Sequence, residues 1–207
     1  MNQYNDVLGV LRDAYDRGAA ARDARTKQPW KLDERQAFLD RLREIGAARL
    51  LEVGAGSGQD SAFFAAAGLD VVATDLSPAM VELCRAKGLD ARVGDVLSLD
   101  FPPASFDAVF TSNCLLHVPD AALPSALAIL ARVLRPEGLM YLGVWGGQDW
   151  EGEFVDDDHL PRRFFALRTD EQLQEYAARD FEILDFHTVT ADDGDHFQSL
   201  TLRPRRS

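Results

Sequence analysis

Three observations predict an α/β fold with three layers, in which helices cover both faces of a mostly parallel sheet. From residue 49 onwards, short apolar runs of strand length alternate with amphipathic segments of helix length, which is the pattern of βαβ units. A turn of the form Gly-x-Gly-x-Gly separates the first apolar run from the next helix. The chain has 207 residues, which suits one α/β domain with a sheet buried on both faces.

Two helices are predicted ahead of the sheet, because apolar side chains recur at helical spacing over residues 3–45, with a break at residues 26–29. In the alternating part, Ser77 and Pro78 begin a helix as its cap and first residue, and Gly88 ends it. The predicted strands cover residues 49–53, 70–74, 90–94, 106–111 and 138–144, and the helices between them cover residues 60–67, 77–87 and 120–134.

The end of the chain departs from this alternation. An acidic segment, residues 149–167, is predicted to be a loop, and a helix follows at residues 170–179. Two strand-like runs cover residues 181–190 and 196–202, and the turn-rich residues 191–195 between them predict an antiparallel hairpin. The sheet is therefore expected to have seven strands, of which the last is antiparallel.

Charge and hydropathy narrow the possible partners. The formal net charge is −12, whereas nucleic-acid affinity depends on Lys and Arg displacing counterions, so no nucleic-acid partner is expected. No apolar run approaches the roughly 18 residues that span a bilayer, so no membrane association is expected and the predicted location is the cytoplasm. Cys84 and Cys114 form no metal-ligand pattern and are expected to be buried, reduced thiols.

The glycine turn fits ligands derived from nucleotides, because backbone amides can approach a ligand closely where side chains are missing. Glycines stand at positions 54, 56 and 58, whereas a dinucleotide fingerprint needs the third at position 59, which is Gln59. Glu52 belongs to a strand expected to be buried, where its carboxylate needs a polar or cationic partner. A cofactor with an ammonium and a sulfonium supplies positive charge; Arg49 or a backbone amide is the alternative partner.

Two further acidic residues follow the next two strands. Asp75 stands twenty-one residues after Gly54 and is placed to accept both hydroxyls of a ribose, a role that NAD-binding proteins share. Asp95 follows the third strand, where it can accept a hydrogen bond from an adenine amino group. Acidic residues at three successive strand ends therefore predict a site for an adenosine-containing cofactor.

With these residues, the chain resembles the class I S-adenosylmethionine-dependent methyltransferases over nearly its full length. The resemblance implies a Rossmann-like fold with strand order 3-2-1-4-5-7-6, and a single domain over residues 1–207 in which residues 1–47 form a helical lid on a core of residues 48–207. Five segments carry it: LLEVGAGSGQDS at 50–61, VVATDLSPAMVELCRAKG at 71–88, ARVGDVLSL at 91–99, FDAVFTSNCLLHVP at 106–119 and VLRPEGLMYLGV at 133–144.

The resemblance also implies the cofactor, S-adenosyl-L-methionine, its product S-adenosyl-L-homocysteine, and the residues that hold them. Asp75 is expected to bind the ribose, and Asp95 the adenine amino group. Leu76 and Val96 are expected to pack on the two faces of the adenine. Gly54, Ala55 and Gly56 are expected to border the methionine half, and Asn113 to lie near the transferred methyl group. Glu52, because of its need for a cationic partner, and Tyr15 of the lid complete the predicted cofactor site.

The segment after the fourth strand limits the acceptor. It reads Thr-Ser-Asn-Cys-Leu-Leu-His, without the Asn/Asp-Pro-Pro-Tyr/Phe pattern of enzymes that methylate adenine or glutamine amides. It also lacks the Asp that metal-dependent catechol methyltransferases use at this position. The expected reaction is therefore metal-independent transfer to an O, N or C atom of a small molecule. Methylation of a peptide or protein, non-catalytic binding of S-adenosylmethionine and NAD-dependent oxidoreduction remain as alternatives.

His117 is the candidate general base, since it follows the fourth strand closely and an imidazole titrates near neutrality; the alternative is a packing or capping role. The acidic run at residues 156–158 with His159 is expected to be a hydrated loop, with a metal or cationic substrate as the alternative. His187 and His196 are expected to be structural. The candidate acceptor-binding residues are Tyr4, Trp30, Arg162 and Phe164, each with structural packing as the alternative, and Arg163 joins Arg162 as a possible clamp for a carboxylated aromatic acceptor.

Overall fold

The computed structural model describes residues 2–191 and 194–205, with the following elements. The strands are β1 (Arg49–Val53), β2 (Asp70–Asp75), β3 (Asp90–Val93), β4 (Phe106–Ser112), β5 (Leu134–Trp145), β6 (Trp150–Glu153), β7 (Phe164–Leu167), β8 (Phe181–Thr190) and β9 (His196–Pro204). The helices are α1 (Asn2–Asp23), α2 (Pro29–Glu44), α3 (Gln59–Ala66), α4 (Pro78–Ala86), α5 (Leu123–Val133) and α6 (Asp170–Ala177).

The central sheet has the strand order β3-β2-β1-β4-β5-β9-β8, so the predicted order is confirmed. Strands β3, β2, β1, β4 and β5 pair in parallel, and β9 is antiparallel to both of its neighbours. This arrangement confirms the predicted fold class, because α3, α4 and α5 connect successive parallel strands, and only the connection from β3 to β4 has no α-helix among the described residues.

Both faces of the sheet are covered by apolar helix surfaces. Side chains alternate along each strand, so that Leu50 packs with Phe38 of α2 and Phe64 of α3, whereas Leu51 packs into the cluster that contains Leu127 of α5. Leu50 and Leu51 are both fully buried. The alternation therefore produces the three predicted layers, with α2, α3 and α4 on one face and α5 and α6 on the other.

The predicted boundaries are close to the observed ones wherever a capping residue or a glycine marks them. Ser77 accepts a hydrogen bond from the Met80 backbone N–H at 3.1 Å, and Gly88 follows α4 with φ of 80°. The fifth strand begins at Leu134, four residues before the predicted start, because Leu134 already pairs with Phe106. Of the predicted turn at residues 191–195, Asp192 and Asp193 lie outside the described residues.

One element differs from the prediction. The segment at residues 149–167, predicted as a loop, contains the antiparallel pair β6 and β7, which forms a second sheet of two strands. Trp150 stacks on Phe154 with ring centroids 4.4 Å apart, and Phe154 contacts Phe165 at 5.1 Å. The Gly147 N–H donates to the Arg168 carbonyl at 2.8 Å and closes the base of this hairpin. Aromatic contacts therefore help to stabilise this hairpin, in which β7 is an apolar run and β6 is not.

Helix α1 lies across the carboxyl edge of the parallel strands and is tied to α4. The Ala79 N–H donates to Asp16 at 3.0 Å, the Ser77 hydroxyl donates to the same carboxylate, and Lys87 forms an ion pair with Asp23 at 2.7 Å. Among the residues described, no helix combines the length and the apolar composition that crossing a bilayer requires. Helix α1 therefore covers the edge of the sheet at which ligands bind in open α/β folds.

Candidate functional site

Acidic side chains from three neighbouring strands meet beneath α1. Glu52 belongs to β1, Asp75 ends β2, and Asp95 stands two residues after β3. Asp75 and Asp95 line one cavity. Glu52 lines a second, polar cavity that shares Gly54, Gly56, Arg22 and Asn113 with the first. The two cavities together form one site, which we call the edge site.

The glycine turn between β1 and α3 needs its glycines for different reasons. Gly54, Gly56 and Gly58 all have positive φ, at 75°, 55° and 80°. A Cβ atom at Gly54 would lie 2.5 Å from Cys114 Cβ, and one at Gly58 would lie 2.8 Å from Cys84 Sγ. A Cβ atom at Gly56 would have no atom within 4 Å. Packing therefore explains two of the glycines, and Gly56 exposes its backbone to the open space of the site.

Glu52 has a neutral partner. Its side chain is buried and accepts a hydrogen bond from the Ser61 hydroxyl, whereas Arg49, the alternative partner, pairs with Asp70 at 3.1 Å. Burial, together with the negative charge of Asp60, raises the pKa of Glu52. Because a raised pKa of this kind marks a carboxylate whose charge is incompletely compensated, Glu52 favours a positively charged ligand group in the polar cavity.

Asp75 is held in place by the backbone on both sides. One of its oxygens accepts the Gly56 N–H at 2.7 Å and the other accepts the Ser77 N–H at 2.9 Å. Burial raises the pKa of Asp75 in spite of these hydrogen bonds. A carboxylate oxygen has more than one lone pair, so both oxygens retain the capacity to accept hydrogen bonds from a ligand.

Asp95 lies at the far end of the first cavity together with Tyr4. The Tyr4 hydroxyl donates to Asp95 Oδ1, and the Leu97 N–H donates to the same oxygen at 3.3 Å. Burial and the neighbouring carboxylate raise the pKa of Tyr4. Leu76 and Val96 line the cavity at this end. Tyr4, predicted as an acceptor-binding residue, is therefore placed beside the residues predicted to bind adenine.

His117 joins two distant segments of the chain. Its Nε2 lies 2.6 Å from the Tyr15 hydroxyl of α1, and its Nδ1 lies 2.6 Å from the Phe164 carbonyl of β7. A carbonyl only accepts, so Nδ1 carries the proton and Nε2 accepts from Tyr15. Burial lowers the pKa of His117 to about 3. The expectation of titration near neutrality is therefore wrong, because the buried ring stays neutral. Arg163 also contacts this pair, since it donates a hydrogen bond to the Tyr15 hydroxyl at 3.3 Å.

Asn113 stands where the two cavities meet. Its φ is 55°, an unusual value for a residue with a side chain, and its Oδ1 is buried without a hydrogen-bond partner among residues 2–191 and 194–205. Cys114 also lines the first cavity, and burial raises the pKa of its thiol to about 12. Both cysteines are free thiols, as predicted; Cys84 is buried as expected, whereas Cys114 is half-buried because it lines the cavity. Asn113 therefore places a hydrogen-bond acceptor without a partner at the centre of the site.

Three of the residues predicted to bind the acceptor lie elsewhere. Trp30 belongs to an aromatic cluster, with ring centroids 5.6 Å from Trp145 and 4.8 Å from Phe197. Arg162 is exposed, and the side chain of Phe164 does not line either cavity. Phe164 contributes its carbonyl to His117 instead. Sequence position alone did not distinguish these placements, because Trp30 lies at the start of α2 and the other two lie just before and at the start of β7, and neither position fixes the direction of a side chain.

The acidic run in the β6–β7 connection is ion-paired, whereas a hydrated loop was expected. Asp157 forms an ion pair with Arg163 at 2.6 Å, and its side chain is only 2% exposed. Asp158 pairs with Arg25 at 2.9 Å and with His159. These contacts link the hairpin to the linker after α1. The expectation of hydration is wrong for Asp157, because the arginine that follows in the sequence folds back onto it.

Two arginines near the site were not predicted. Arg168 is 2% exposed, pairs with Asp120 at 2.7 Å and donates to the Leu115, Ala166 and Val118 carbonyls. Arg22 of α1 lines both cavities of the edge site. The position of Arg168, between the apolar run of β7 and the Thr169 cap, was a sequence signal that could have indicated a buried arginine. Arg22 carries no sequence signal beyond its place on α1.

A seven-stranded sheet with an antiparallel last strand and acidic residues around a glycine turn defines the class of Rossmann-like domains that bind adenosine-containing cofactors. A family model described as a methyltransferase domain matches residues 51–142. The match covers less than half of the chain, and the predicted resemblance to the S-adenosylmethionine-dependent methyltransferases is confirmed.

Individual relatives agree with this assignment. The chain is 39% identical over 122 residues to a ubiquinone biosynthesis O-methyltransferase of Xanthomonas oryzae pv. oryzae, covering 55% of this chain and 48% of the relative. It is 33% identical over 148 residues to a demethylmenaquinone methyltransferase of Beutenbergia cavernae, covering 70% and 60%. The chain thus spans about half the length of the curated relatives that it matches.

A solved structure resembles nearly the whole chain. It is a Burkholderia thailandensis 1,6-didemethyltoxoflavin-N1-methyltransferase with bound 1,6-didemethyltoxoflavin and S-adenosylhomocysteine. Its TM-score is 0.78 at 25% sequence identity, and the match covers 98% of this chain and 90% of that one. The similarity includes α1, β8 and β9, which the family model does not cover.

Proposed function

We propose that this protein transfers a methyl group from S-adenosyl-L-methionine to an O, N or C atom of a small-molecule acceptor. The observation that carries the proposal is the convergence of Glu52, Asp75 and Asp95 on one site beside an open glycine turn. A phosphate-containing cofactor fits this set poorly, because three acidic side chains would repel it. The two curated relatives and the solved structure named above carry methyltransferase names, which supports the same reaction class.

The residues of the edge site fit this cofactor. Glu52 is a buried carboxylate without a cationic hydrogen-bond partner among the described residues, and it is placed to bind an ammonium group. The open face of Gly56 and the unsatisfied Asn113 Oδ1 border the methionine moiety. Asp75 accepts hydrogen bonds from the ribose, and Asp95 accepts one from the adenine.

The cofactor, when bound, supplies a methyl group already activated on a sulfonium, so the protein's task is to position the acceptor and to exclude water. Helix α1 covers the site and is tied down at Asp16 and at Asp23. We assign residues 1–47 as a lid on these contacts and residues 48–207 as the core. Closure of α1 over the site excludes solvent from the reacting atoms.

His117 and Tyr15 are assigned to the acceptor side of the site. His117 Nε2 is an available proton acceptor at any pH well above 3, because the ring stays neutral. A base with so low a pKa drives proton transfer weakly, since the favoured pKa of a general base lies near the working pH. We therefore assign His117 mainly to holding Tyr15 towards the acceptor, with proton acceptance through the Tyr15 hydroxyl as the lesser contribution.

Calorimetry with S-adenosylhomocysteine and with NAD tests the cofactor. Tight binding of S-adenosylhomocysteine and absence of NAD binding are expected; the opposite preference contradicts the proposal. Incubation with labelled S-adenosylmethionine and a library of phenols, amines and basic peptides then tests the reaction. Multiple turnover on a phenol or amine is expected. Turnover on peptides alone would assign the chain to protein methylation, and binding without any turnover would assign it to cofactor binding only.

We also propose a cytoplasmic location and a free small-molecule acceptor. The supporting observation is the net charge of −12, which disfavours nucleic acids and anionic membrane surfaces. Fractionation of cells that express the tagged protein tests the location. Recovery in the cytosolic fraction is expected, and recovery with membranes contradicts it.

A further inference from the structure

The positive charge of this chain is concentrated next to the edge site. Residues 17–31 contain five basic side chains and one acidic side chain, although the whole chain has a net charge of −12. This basic segment consists of the end of α1, the linker and the start of α2. Its charge is opposite to that of the rest of the surface, so it creates a local positive potential at the entrance of the site.

Most of the basic segment already has partners. Arg25 pairs with Asp158 at 2.9 Å, Lys27 pairs with Asp60 at 2.7 Å, and Lys31 lies 4.9 Å from the centre of the Trp145 ring. Arg22 is half-buried, and its guanidinium has neither a hydrogen bond nor an ion pair with any residue in the ranges 2–191 and 194–205. A half-buried guanidinium in this state favours an external anion.

Arg22 faces the acceptor side as well as the glycine turn. It lines the first cavity beside Tyr15 and His117, the polar cavity beside Glu52, and a groove beside His159 at the foot of the β6–β7 hairpin. Its charge acts on the pKa values of Tyr15, Asp75 and His117, which places the guanidinium close to all three. Arg22 therefore stands at the junction of the cofactor region and the region of Tyr15 and His117.

We propose that the methyl acceptor carries a carboxylate, and that Arg22 binds it. This inference rests on the methyltransferase function proposed above and specifies its acceptor. A guanidinium binds a carboxylate through two parallel hydrogen bonds, which fixes orientation as well as position. Residues 162–163 do not perform this role, since Arg162 is exposed and Arg163 is bound by Asp157.

The cofactor also has a carboxylate, and the lining of the two cavities distinguishes its expected position from that of the acceptor's carboxylate. The polar cavity beside Glu52 contains Lys27, Gln28 and Ser57, which surround the expected position of the amino-acid end of the cofactor. Arg22 alone among the five basic side chains also lines the first cavity, next to Tyr15. An acceptor held near Tyr15 therefore lies in a cavity that Arg22 lines and the other four basic side chains do not.

Binding of benzoate and benzamide to the protein saturated with S-adenosylhomocysteine tests the proposal. The two probes have the same shape, and only benzoate is charged. Wild-type protein is expected to bind benzoate about tenfold or more tightly than benzamide, which corresponds to a charge-assisted hydrogen-bonded pair. Arg22→Gln is expected to remove the preference, and Arg22→Lys to retain part of it. Arg12→Gln, an exposed arginine on the same helix, is the matched control and is expected to retain all of it.

Three results would overturn the inference. The first is equal binding of the two probes by wild-type protein, and the second is an unchanged preference in Arg22→Gln. The third is a loss of affinity in Arg22→Gln for S-adenosylhomocysteine but not for 5′-methylthioadenosine, which lacks the carboxylate, because Arg22 would then serve the cofactor. Failure of the wild-type protein to bind S-adenosylhomocysteine contradicts the proposed function instead, and the benzoate preference is then measured on the cofactor-free protein.

Discussion

The Tyr15 hydroxyl donates a hydrogen bond to His117 Nε2 across 2.6 Å and 102 positions of sequence. The imidazole in turn donates from Nδ1 to the Phe164 carbonyl, so its orientation is fixed from both sides. Arg163 reaches the same Tyr15 oxygen at 3.3 Å. Helix α1, the segment after β4 and the β6–β7 hairpin are thereby connected through Tyr15 and His117, which both line the first cavity.

Removal of the Tyr15 hydroxyl is expected to slow methyl transfer without weakening cofactor binding. In Tyr15→Phe the ring still covers the site, but the oxygen between His117 and the acceptor is missing. We expect turnover to fall by about tenfold to hundredfold, towards the lower end of the range for groups that assist proton transfer. Turnover and the S-adenosylhomocysteine dissociation constant measure the two effects. Tyr176→Phe, on α6, is the control, and equal turnover in both variants would make Tyr15 a packing residue.

The buried His117 is expected to make the protein less stable in mild acid. Its pKa is about 3 in the folded state and near 6.5 when unfolded, so its contribution is present above pH 6.5 and is lost as the pH falls. Below pH 6.5 this loss amounts to about 1.4 kcal/mol per pH unit. Urea unfolding at a series of pH values measures it, and His117→Gln should remove this part of the slope.

His187 provides an opposite control for that measurement. Although burial opposes it, hydrogen bonds to Glu34 and Asp185 raise the pKa of His187 above its ordinary value. Its contribution is therefore present below pH 6.5 and is lost as the pH rises through the folded-state pKa. His187→Gln should leave the loss of stability in acid intact. An acid slope that is the same in wild type and in His117→Gln would contradict the neutral, buried state of His117.

Glu52→Gln is expected to stabilise the protein and to weaken cofactor binding. The raised pKa of Glu52 means that ionisation opposes folding, so stability is lost as the pH rises and the neutral amide avoids this loss. The same amide cannot neutralise the cofactor's ammonium, and the dissociation constant should rise by about tenfold or more. Thermal unfolding and calorimetry measure the two changes. Glu82→Gln, at an exposed ion pair, should alter neither; a less stable Glu52→Gln protein would contradict the account.

Asp75→Ala is expected to weaken cofactor binding by about 1 to 3 kcal/mol through the lost ribose hydrogen bonds. The same change frees the Gly56 and Ser77 N–H groups, so a modest loss of stability accompanies it. Asp75→Asn keeps the shape but only one acceptor oxygen, and an intermediate affinity is expected. Asp90→Asn on the edge strand is the control. An unchanged dissociation constant in folded Asp75→Ala protein would remove Asp75 from the ribose role.

Arg168→Ala is expected to destabilise the fold by about 3 to 5 kcal/mol, because a buried partner of Asp120 and of three carbonyls is removed. Arg162→Ala, six positions earlier and exposed, should change stability by less than about 0.5 kcal/mol. Denaturant unfolding of both variants measures the difference. Equal stabilities would show that the carbonyls around Arg168 find other donors, such as water.

The parallel half of the fold was predictable because local signals and tertiary structure agree there. Apolar runs such as residues 49–53 have strand length, and Ser77 and Gly88 mark the ends of a helix through local backbone geometry. The β6–β7 hairpin was missed because its strands are stabilised by contacts between aromatic rings, which a one-dimensional pattern does not contain. Sequence periodicity therefore predicted the layers but not this addition to them.

The candidate site likewise contains residues that the sequence predicted and residues that it did not. Asp75 and Asp95 were predictable because the carboxyl ends of parallel strands meet at one edge. The contact between Tyr15 and His117 joins residues far apart in sequence, and no spacing rule connects them. Arg22 was missed for a related reason, since a basic residue on a helix is ordinarily solvated and only its position over the cavities distinguishes it.

The β6–β7 hairpin shares no strand pairing with the seven-stranded sheet, and its base is closed by one hydrogen bond between Gly147 and Arg168. It nevertheless supplies the Phe164 carbonyl to His117 and Arg163 to Tyr15. The segment between these closing residues is thus a separate two-stranded unit that also contacts Arg25 through Asp158. Exchange of this segment for that of a relative is expected to alter the proposed acceptor side more than the proposed cofactor side, which is built from β1, β2 and β3.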